Sequence, residues 1–466
     1  MSDALLPGAC IGCAACVAAC PVLAADGGFA GPKVVGPAFA RHREGGWPGE
    51  PYPGPAEAAA LGADLCLRCH ACDLACPAGI AVSALTGQAK TLAAQAPQTA
   101  FHRFSGRLLA DQERFGHLVS AAGAARRLGR CLAPRLALGL ERTSLRVLGL
   151  SPNRSLPAPP RLSLPTWLES TRRPELERTS PSLILFAGCH ARLHDPRVGQ
   201  AAVSVLRAAG YRVALPTQVC CGSPASSSGE EELAAQAARA NVALLGQAST
   251  RLGEETPIVS PCPSCTLALR RTLPELVPGQ AARRLASRVW DLGEFLAGPA
   301  ASGLHLALER TMKRTAERSP DRSAERSRMR TSGPFAYHTP CHLRALGSGR
   351  LFPALLGALG SGTFLDPGPA ADGCCGMGGL AGLTAAGYGR SLATGRPVLE
   401  AYATLEPALI LSDCPACRWQ IADATGRDTA HPVEVLAAAL AGVDSPRRQL
   451  RAAPLSISKE GIPRTS

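Results

Sequence analysis

At 466 residues, with 46% apolar and 18% charged side chains, the chain is too long for one ordinary domain and too apolar to be disordered as a whole. Its net charge of +13, from 49 basic and 36 acidic residues, suits an acidic partner or an anionic membrane surface, whereas 4% aromatics argue against a nucleic-acid partner that needs stacking platforms. The most apolar run, residues 351–365, is broken by Gly357, Gly360 and Gly362, and the first 30 residues hold no Lys or Arg, so neither a spanning helix nor a secretory leader is predicted and a cytosolic chain is expected.

Nineteen cysteines in a reducing compartment point to metal rather than to disulfides. The first eight form two runs. Cys10, Cys13, Cys16 and Cys20 precede Pro21, and Cys66, Cys69, Cys72 and Cys76 repeat the spacing before Pro77. This is the two-cluster ferredoxin pattern, in which three close cysteines hold one 4Fe-4S cluster and the fourth reaches the other. The spacing therefore assigns Cys10, Cys13, Cys16 and Cys76 to one cluster, and Cys66, Cys69, Cys72 and Cys20 to a second. A pair of zinc sites would need no third cysteine at the same step and no terminal Cys-Pro. Residues 1–95 are thus a two-cluster domain. The Gly- and Pro-rich insert from Val22 to Leu65 reads as a long loop, with partner docking as one role.

Residues 96–180 read as a basic helical segment and a linker. Leu108, Leu109, Phe115, Leu118 and Val119 recur at helical spacing, and Arg103, Arg107, Arg114, Arg126, Arg127, Arg130, Arg135, Arg142 and Arg146 outnumber Asp111, Glu113 and Glu141. A solvated bundle face and a membrane-surface helix both fit, the first better. Cys131 reads as a small buried hydrophobe. The prolines of residues 152–182 read as linker.

The next ten cysteines form two sets of five. Cys189, Cys220, Cys221, Cys262 and Cys265 are matched by Cys341, Cys374, Cys375, Cys414 and Cys417. Each set opens on Cys-His, contains Cys-Cys-Gly and closes on Cys-Pro-x-Cys, which marks an internal duplication. Short apolar runs at 183–186, 257–259, 335–337 and 409–411 precede cysteines. Helical segments are expected over 198–209, 230–245, 385–404 and 433–440. Alternating strands and helices predict parallel sheets, with the cysteines beyond the strands' carboxyl ends where ligands bind. The expected halves are residues 181–300 and 334–445. The charged stretch within 301–333 reads as a disordered or helical insert and 446–466 as a tail. Gly222 and Gly376 suit a positive-φ turn or close approach to a bulky ligand. Five thiols exceed what one zinc or one cubane takes, leaving an unusual cluster, a dithiol site, or zinc with a spare cysteine. His190, His338 and His342 flank these sites as candidates to hydrogen-bond ligands or carry protons.

The overall class is multidomain, α+β and α/β. An α-helical two-cluster ferredoxin-like domain precedes two duplicated α/β cysteine-rich domains with parallel sheets. With both CxxCxxCxxxCP runs and both CCG repeats in one chain, the sequence resembles the iron–sulfur subunits of anaerobic glycerol-3-phosphate dehydrogenases. It is also similar to those of glycolate and lactate oxidases and to the CCG-bearing subunit of heterodisulfide reductase. Gly31-Pro32-Lys33, Tyr337-His338-Thr339-Pro340-Cys341-His342, Ser412-Asp413-Cys414 and His431-Pro432 carry the resemblance to the first. PCPSC at 261–265 and Met377-Gly378-Gly379, in place of an aromatic and a lysine, depart from it. The resemblance implies an oxidoreductase subunit that takes electrons from a flavoprotein dehydrogenase partner to membrane quinone, peripheral on the inner face of the cell membrane. It implies one noncubane 4Fe-4S cluster per complete five-cysteine set. Thiol–disulfide reduction at the CCG sites is the alternative activity, and a zinc-stabilised scaffold is the alternative to activity. No catalytic residue is assigned.

Overall fold

In the computed structural model, residues 7–45, 54–95, 145–154 apart from 148, 162–171, 180–317, 334–358 and 364–441 are described, with isolated positions between 111 and 143. Residues 7–95 contain helices and turns and no strand among the described residues. The helices are α1 (Ala15–Ala18), α2 (Pro21–Ala25), α3 (Phe39–Gly45), α4 (Pro55–Ala60), α5 (Ala71–Leu74) and α6 (Val82–Ala93). Both cysteine runs adopt the same backbone. Gly12 and Ala14 in the first, and Arg68 and His70 in the second, have positive φ. Alternating left-handed residues turn successive N–H groups toward one side, which makes a concavity suited to an anionic group. The insert between the runs is not a free loop in its described part. Val22, Phe29, Val35 and Phe39 are buried against Ala58, Ala63 and Ala89, because its apolar residues recur often enough to build a core.

The chain then crosses to the cysteine-rich halves by a strap. Leu150 pairs with Thr384, and the fully buried Arg154 side chain contacts Asp423 at 3.3 Å, the Gly382 carbonyl at 2.8 Å and Ser391 at 3.2 Å. Helix α7 (Leu164–Ser170), capped by Ser163, buries Leu164 in the core of the first half. The stretch read as a linker is therefore anchored at both halves, since Leu164, Trp167 and Leu168 present one apolar helical face. The heptad-like leucines at 108–119, and Cys131, lie outside the described residues.

The first half places β1 (Ser182–Leu185), α8 (Pro196–Ala208), β2 (Arg212–Ala214), α9 (Glu231–Leu252), β3 (Ile258–Ser260), α10 (Pro263–Leu267) and β4 (Val289–Asp291) in a parallel sheet of order β2-β1-β3-β4. Its register sets Ile184 beside both Ala214 and Ile258. Helix α11 (Ala301–Glu317) leads out of this half. The second half repeats the pattern with β5 (Phe335–Tyr337), α12 (Cys341–Leu346), α13 (Tyr388–Leu405), β6 (Leu409–Leu411), α14 (Pro415–Thr425), β7 (Thr429–Ala430) and α15 (Pro432–Leu440), in the parallel order β5-β6-β7. Phe364 makes a single parallel bridge to Phe335, at the place β2 occupies in the first half. The sheets are as the alternating pattern predicts. β2, β4 and β7 are too short to be read from periodicity.

The two halves share one core. Val198, Ala202, Val205 and Leu206 of α8 pack with Leu409 and Leu411 of β6 and with Val433 and Leu436 of α15. Helix α11 joins them through Leu304 and Leu308. The helical reading of the 301–333 insert thus holds as far as Glu317, and the charged remainder to 333 lies outside the described residues. Among the described residues no helix is long and apolar enough to cross a membrane.

Candidate metal centres

Each ferredoxin-type run ends at a Cys-Pro that starts a new direction. Cys20 caps α2, whose first residue is Pro21. That turn carries Cys20 away from its own run. One cavity is lined by Cys10, Cys13, Cys16 and Cys76, and another by Cys20, Cys66, Cys69 and Cys72. The two cavities are alike in size, as a duplicated site requires. Burial pushes the Cys20 thiol up to about 11 and raises Cys16 and Cys72 as well. Thiols so placed stay protonated until a metal replaces the proton, so the donor set fits a thiolate-bound cluster whose assembly releases protons. Lys90, buried in α6, donates to the Asp64 and Cys66 carbonyls at 2.7 Å each, which pins the start of the second run.

In each cysteine-rich half, strand ends deliver the outer cysteines and a glycine turn delivers the vicinal pair. Cys189 follows β1, Cys262 caps α10, Cys341 opens α12 and Cys414 caps α14. Gly222 and Gly376 both have φ +84°, the positive-φ turn expected after each Cys-Cys. Polar side chains that sequence reasoning missed hold the first turn. Gln218 accepts from the Gly188 N–H at 3.1 Å and donates to the Leu185 carbonyl at 3.0 Å. Asn241 of α9 accepts from the Val219 N–H and donates to the Cys220 carbonyl. An Asn amid the alanines of α9 is the only signal that could have found it.

Thiols of the first set form a connected group. Cys220 is held well below the ordinary thiol range by hydrogen bonds from Cys189 and Cys221, and Cys265 contacts Cys221 and Cys262. In the second set Cys374 contacts Cys341, and Cys417 contacts Cys414 and lies 3.2 Å from Cys375, sulfur to sulfur. Cys375 is held well below the ordinary range chiefly by its hydrogen bond from Cys417. Cys374 also touches Cys69 of the ferredoxin-type region. The four thiol-lined sites therefore stand in a row. The first-run cavity adjoins the second, the second meets the Cys374 site, and a further cavity lies between Cys414 and the first set at Cys189, Cys221, Cys262 and Cys265. Met377 is buried with Leu145, Leu150 and Leu383, so the segment after Cys375 turns into the core.

The three flanking histidines separate by role. His342 Nε2 donates to the Arg68 carbonyl at 3.2 Å and its Nδ1 accepts from Ser264 at 2.8 Å. It clasps the ferredoxin-type region to both halves, with no nitrogen left to carry a proton. His190 accepts from Arg418, whose guanidinium also faces Asp195 across the interface between halves and Glu434 of its own half. His338 alone points at thiols, with Cys375 and Cys417. His431, a fourth and unforeseen histidine, joins the halves by donating to the Pro261 carbonyl at 2.8 Å.

These clasps give a pH dependence. Burial lowers both His342 and His431 to about 3, so both are neutral in the folded chain. Unfolded imidazoles take up protons below about 6.5. The clasps' stability is complete above that pH and declines as pH falls toward 3, by about 1.4 kcal/mol per unit per group. The thermal midpoint is expected to drop steeply between pH 6.5 and 5, and His431→Gln to flatten the slope. A slope unchanged by that substitution would remove His431 from the account.

The 4Fe-4S dicluster domain model matches residues 8–80, and the cysteine-rich domain model matches residues 183–270 and again 335–422. A subunit of the anaerobic glycerol-3-phosphate dehydrogenase of Escherichia coli K12 is 29% identical over 264 residues, 55% of this chain and 58% of the relative. Lactate utilization protein A of Geobacillus kaustophilus is 28% identical over 206 residues, 42% of this chain and 72% of the relative. A subunit of the fumarate reductase (CoM/CoB) of Methanothermobacter marburgensis is 25% identical over 253 residues, 54% of this chain and 44% of the relative. The chain thus matches little more than half the length of the first of these.

Proposed function

We propose, from a chain that carries one 4Fe-4S dicluster domain and two cysteine-rich domains, that it is the iron–sulfur electron-transfer subunit of an oxidoreductase complex. In this reading a flavoprotein partner oxidises glycerol 3-phosphate and a membrane quinone is the acceptor. The chain then sits peripherally on the inner face of the membrane. The glycerol-3-phosphate relative supports the donor, and the lactate utilization relative keeps a 2-hydroxy acid as the competing one.

The observation that carries this reading is the row of four thiol-lined sites joined by the Cys69–Cys374 contact. Bound iron–sulfur groups supply one-electron redox chemistry at these four places. The chain's own residues do the rest. Cys10, Cys13, Cys16 and Cys76 bind at one end, Cys20, Cys66, Cys69 and Cys72 next, then the sets that begin at Cys341 and at Cys189. The clasp of His342 on Arg68 and Ser264 fixes the spacing between ferredoxin-type region and halves. Burial of the CCG thiols other than Cys189 and Cys341 limits water at the sites.

Glycerol 3-phosphate added anaerobically to the co-purified complex is expected to produce the EPR signals of reduced clusters within turnover time, and menaquinone to erase them. Reduction by lactate and not by glycerol 3-phosphate would reassign the donor. Absence of substrate-dependent reduction with either would overturn the electron-transfer reading. A second reading, disulfide reduction, rests on the cavity that presents thiols of both halves. Turnover of a disulfide by the reduced chain would favour it.

A further inference from the structure

We propose that His338 is a nitrogen ligand of the second cysteine-rich centre, beside Cys375 and Cys417. That centre then has mixed nitrogen and sulfur ligation, while its counterpart in the first half is bound by sulfur alone. The inference rests on the reading that the second five-cysteine set holds an iron–sulfur group.

The position comes from the sheet. The His338 backbone N–H donates to the Leu411 carbonyl at 2.9 Å, one rung past the end of β5. The side chain therefore leaves the carboxyl end of the strand, on the side where Cys375 and Cys417 lie. The residue is 0% exposed. Its ligand atom and the two sulfurs all lie within 4.8 Å of one another. Donors at about 2.0–2.3 Å from one ion span nearly that distance.

The tautomer follows from the hydrogen bonds. Nδ1 stands 3.0 Å from the Ala371 carbonyl, which can only accept, so Nδ1 carries the proton. Nε2 then presents a lone pair, and it has no hydrogen-bond partner. A buried, unpartnered nitrogen aimed at thiols is costly unless something binds it. Metal-bound imidazoles characteristically donate their other N–H to a backbone carbonyl, as this ring does. The edge of the ring packs on Tyr402 at 6.1 Å between centroids, which fixes its orientation. Ligation through Nε2 displaces no proton, because that nitrogen is already bare.

The duplication supplies an internal control. With Cys341 aligned on Cys189, His338 aligns on Phe186, which is also 0% exposed and offers no donor atom. The ligand set is one lever on the potential of an iron–sulfur centre, so an added neutral imidazole moves the second centre from the potential that sulfur ligation alone would give it.

The test is pulsed EPR on the anaerobically isolated full chain, as isolated and after reduction, grown with natural or 15N-labelled histidine. The expected result is a strong nitrogen coupling in one centre that changes with the label. His338→Phe, which copies the first half, is expected to abolish that coupling and shift the midpoint potential of the same centre. His338→Gln, closer in size and polarity, guards against a misfolded Phe variant and is expected to do likewise. A second-centre signal without histidine nitrogen coupling in the unaltered chain, or a coupling that survives in both variants, would overturn the proposal. Cys375→Ser separates the two levels. If it leaves iron content and every signal unchanged, no iron–sulfur group is held there, and the underlying reading fails together with this one.

Discussion

Replacement of Cys76 by alanine is expected to abolish the centre held by Cys10, Cys13 and Cys16, in the other run, and to leave that of Cys66, Cys69 and Cys72 in place. Iron should fall by about four per chain, and the signals of one centre should vanish. Cys20→Ala should remove the other centre in the same way. The reason is geometric. Each run gathers its first three cysteines around residues of positive φ, and the proline after its fourth cysteine starts a new direction. The fourth sulfur consequently lines the opposite cavity. Because these thiols bind metal only as thiolates, the metal contributes to folding outright, and loss of one ligand costs more than one bond. Iron, sulfide and EPR on the two variants decide the matter. If Cys76→Ala instead deletes the centre of its own run, the crossed assignment is wrong.

Gly376→Ala is expected to destabilise the chain by about 2–5 kcal/mol, roughly twice the effect of Gly222→Ala. The two glycines have the same φ of +84°, so the left-handed penalty of about 1–2 kcal/mol is common to both. Their surroundings differ. A Cβ at position 376 would stand 2.0 Å from the Ser391 carbonyl oxygen and 2.7 Å from the Gly395 nitrogen, both backbone atoms that cannot swing aside. At position 222 the nearest atom is the Ala234 oxygen at 3.2 Å. Overpacking adds about 1–3 kcal/mol at 376 alone. Relief requires the Cys374–Cys375 turn to move away from α13, which would also break the Cys374–Cys69 contact. Denaturant midpoints should separate the two variants, and only Gly376→Ala should lose iron from the second half. Equal destabilisation of both would refute the close-packing argument.

The ferredoxin-type runs and the CCG sets are legible because metal chemistry restricts residue type and spacing at once. A sulfur ligand has no substitute at a given step, so the pattern survives in the letters. The parallel sheets are legible from buried apolar runs such as Leu183–Phe186 and Leu409–Leu411. The polar frame is not. Gln218, Asn241, Arg154 and Arg418 act through partners far away in sequence, and a buried polar side chain looks like any surface one until its partner is known. The linker expectation around Leu164 fails for the same reason, since a proline-rich stretch gives no sign that a neighbouring half offers it a core.

By itself the sequence determined the cysteine sets and their duplication, and its spacing carried the expectation that the fourth cysteines cross, because these rest on covalent spacing and local turns. Tertiary structure alone decided how the sets stand to one another. It decided that Cys69 meets Cys374, that His342 ties three parts together, and that His338 rather than His190 or His342 faces the thiols. These are contacts between residues tens to hundreds of positions apart. They exist because both halves bury a common apolar core, and that burial sets which strand ends face each other.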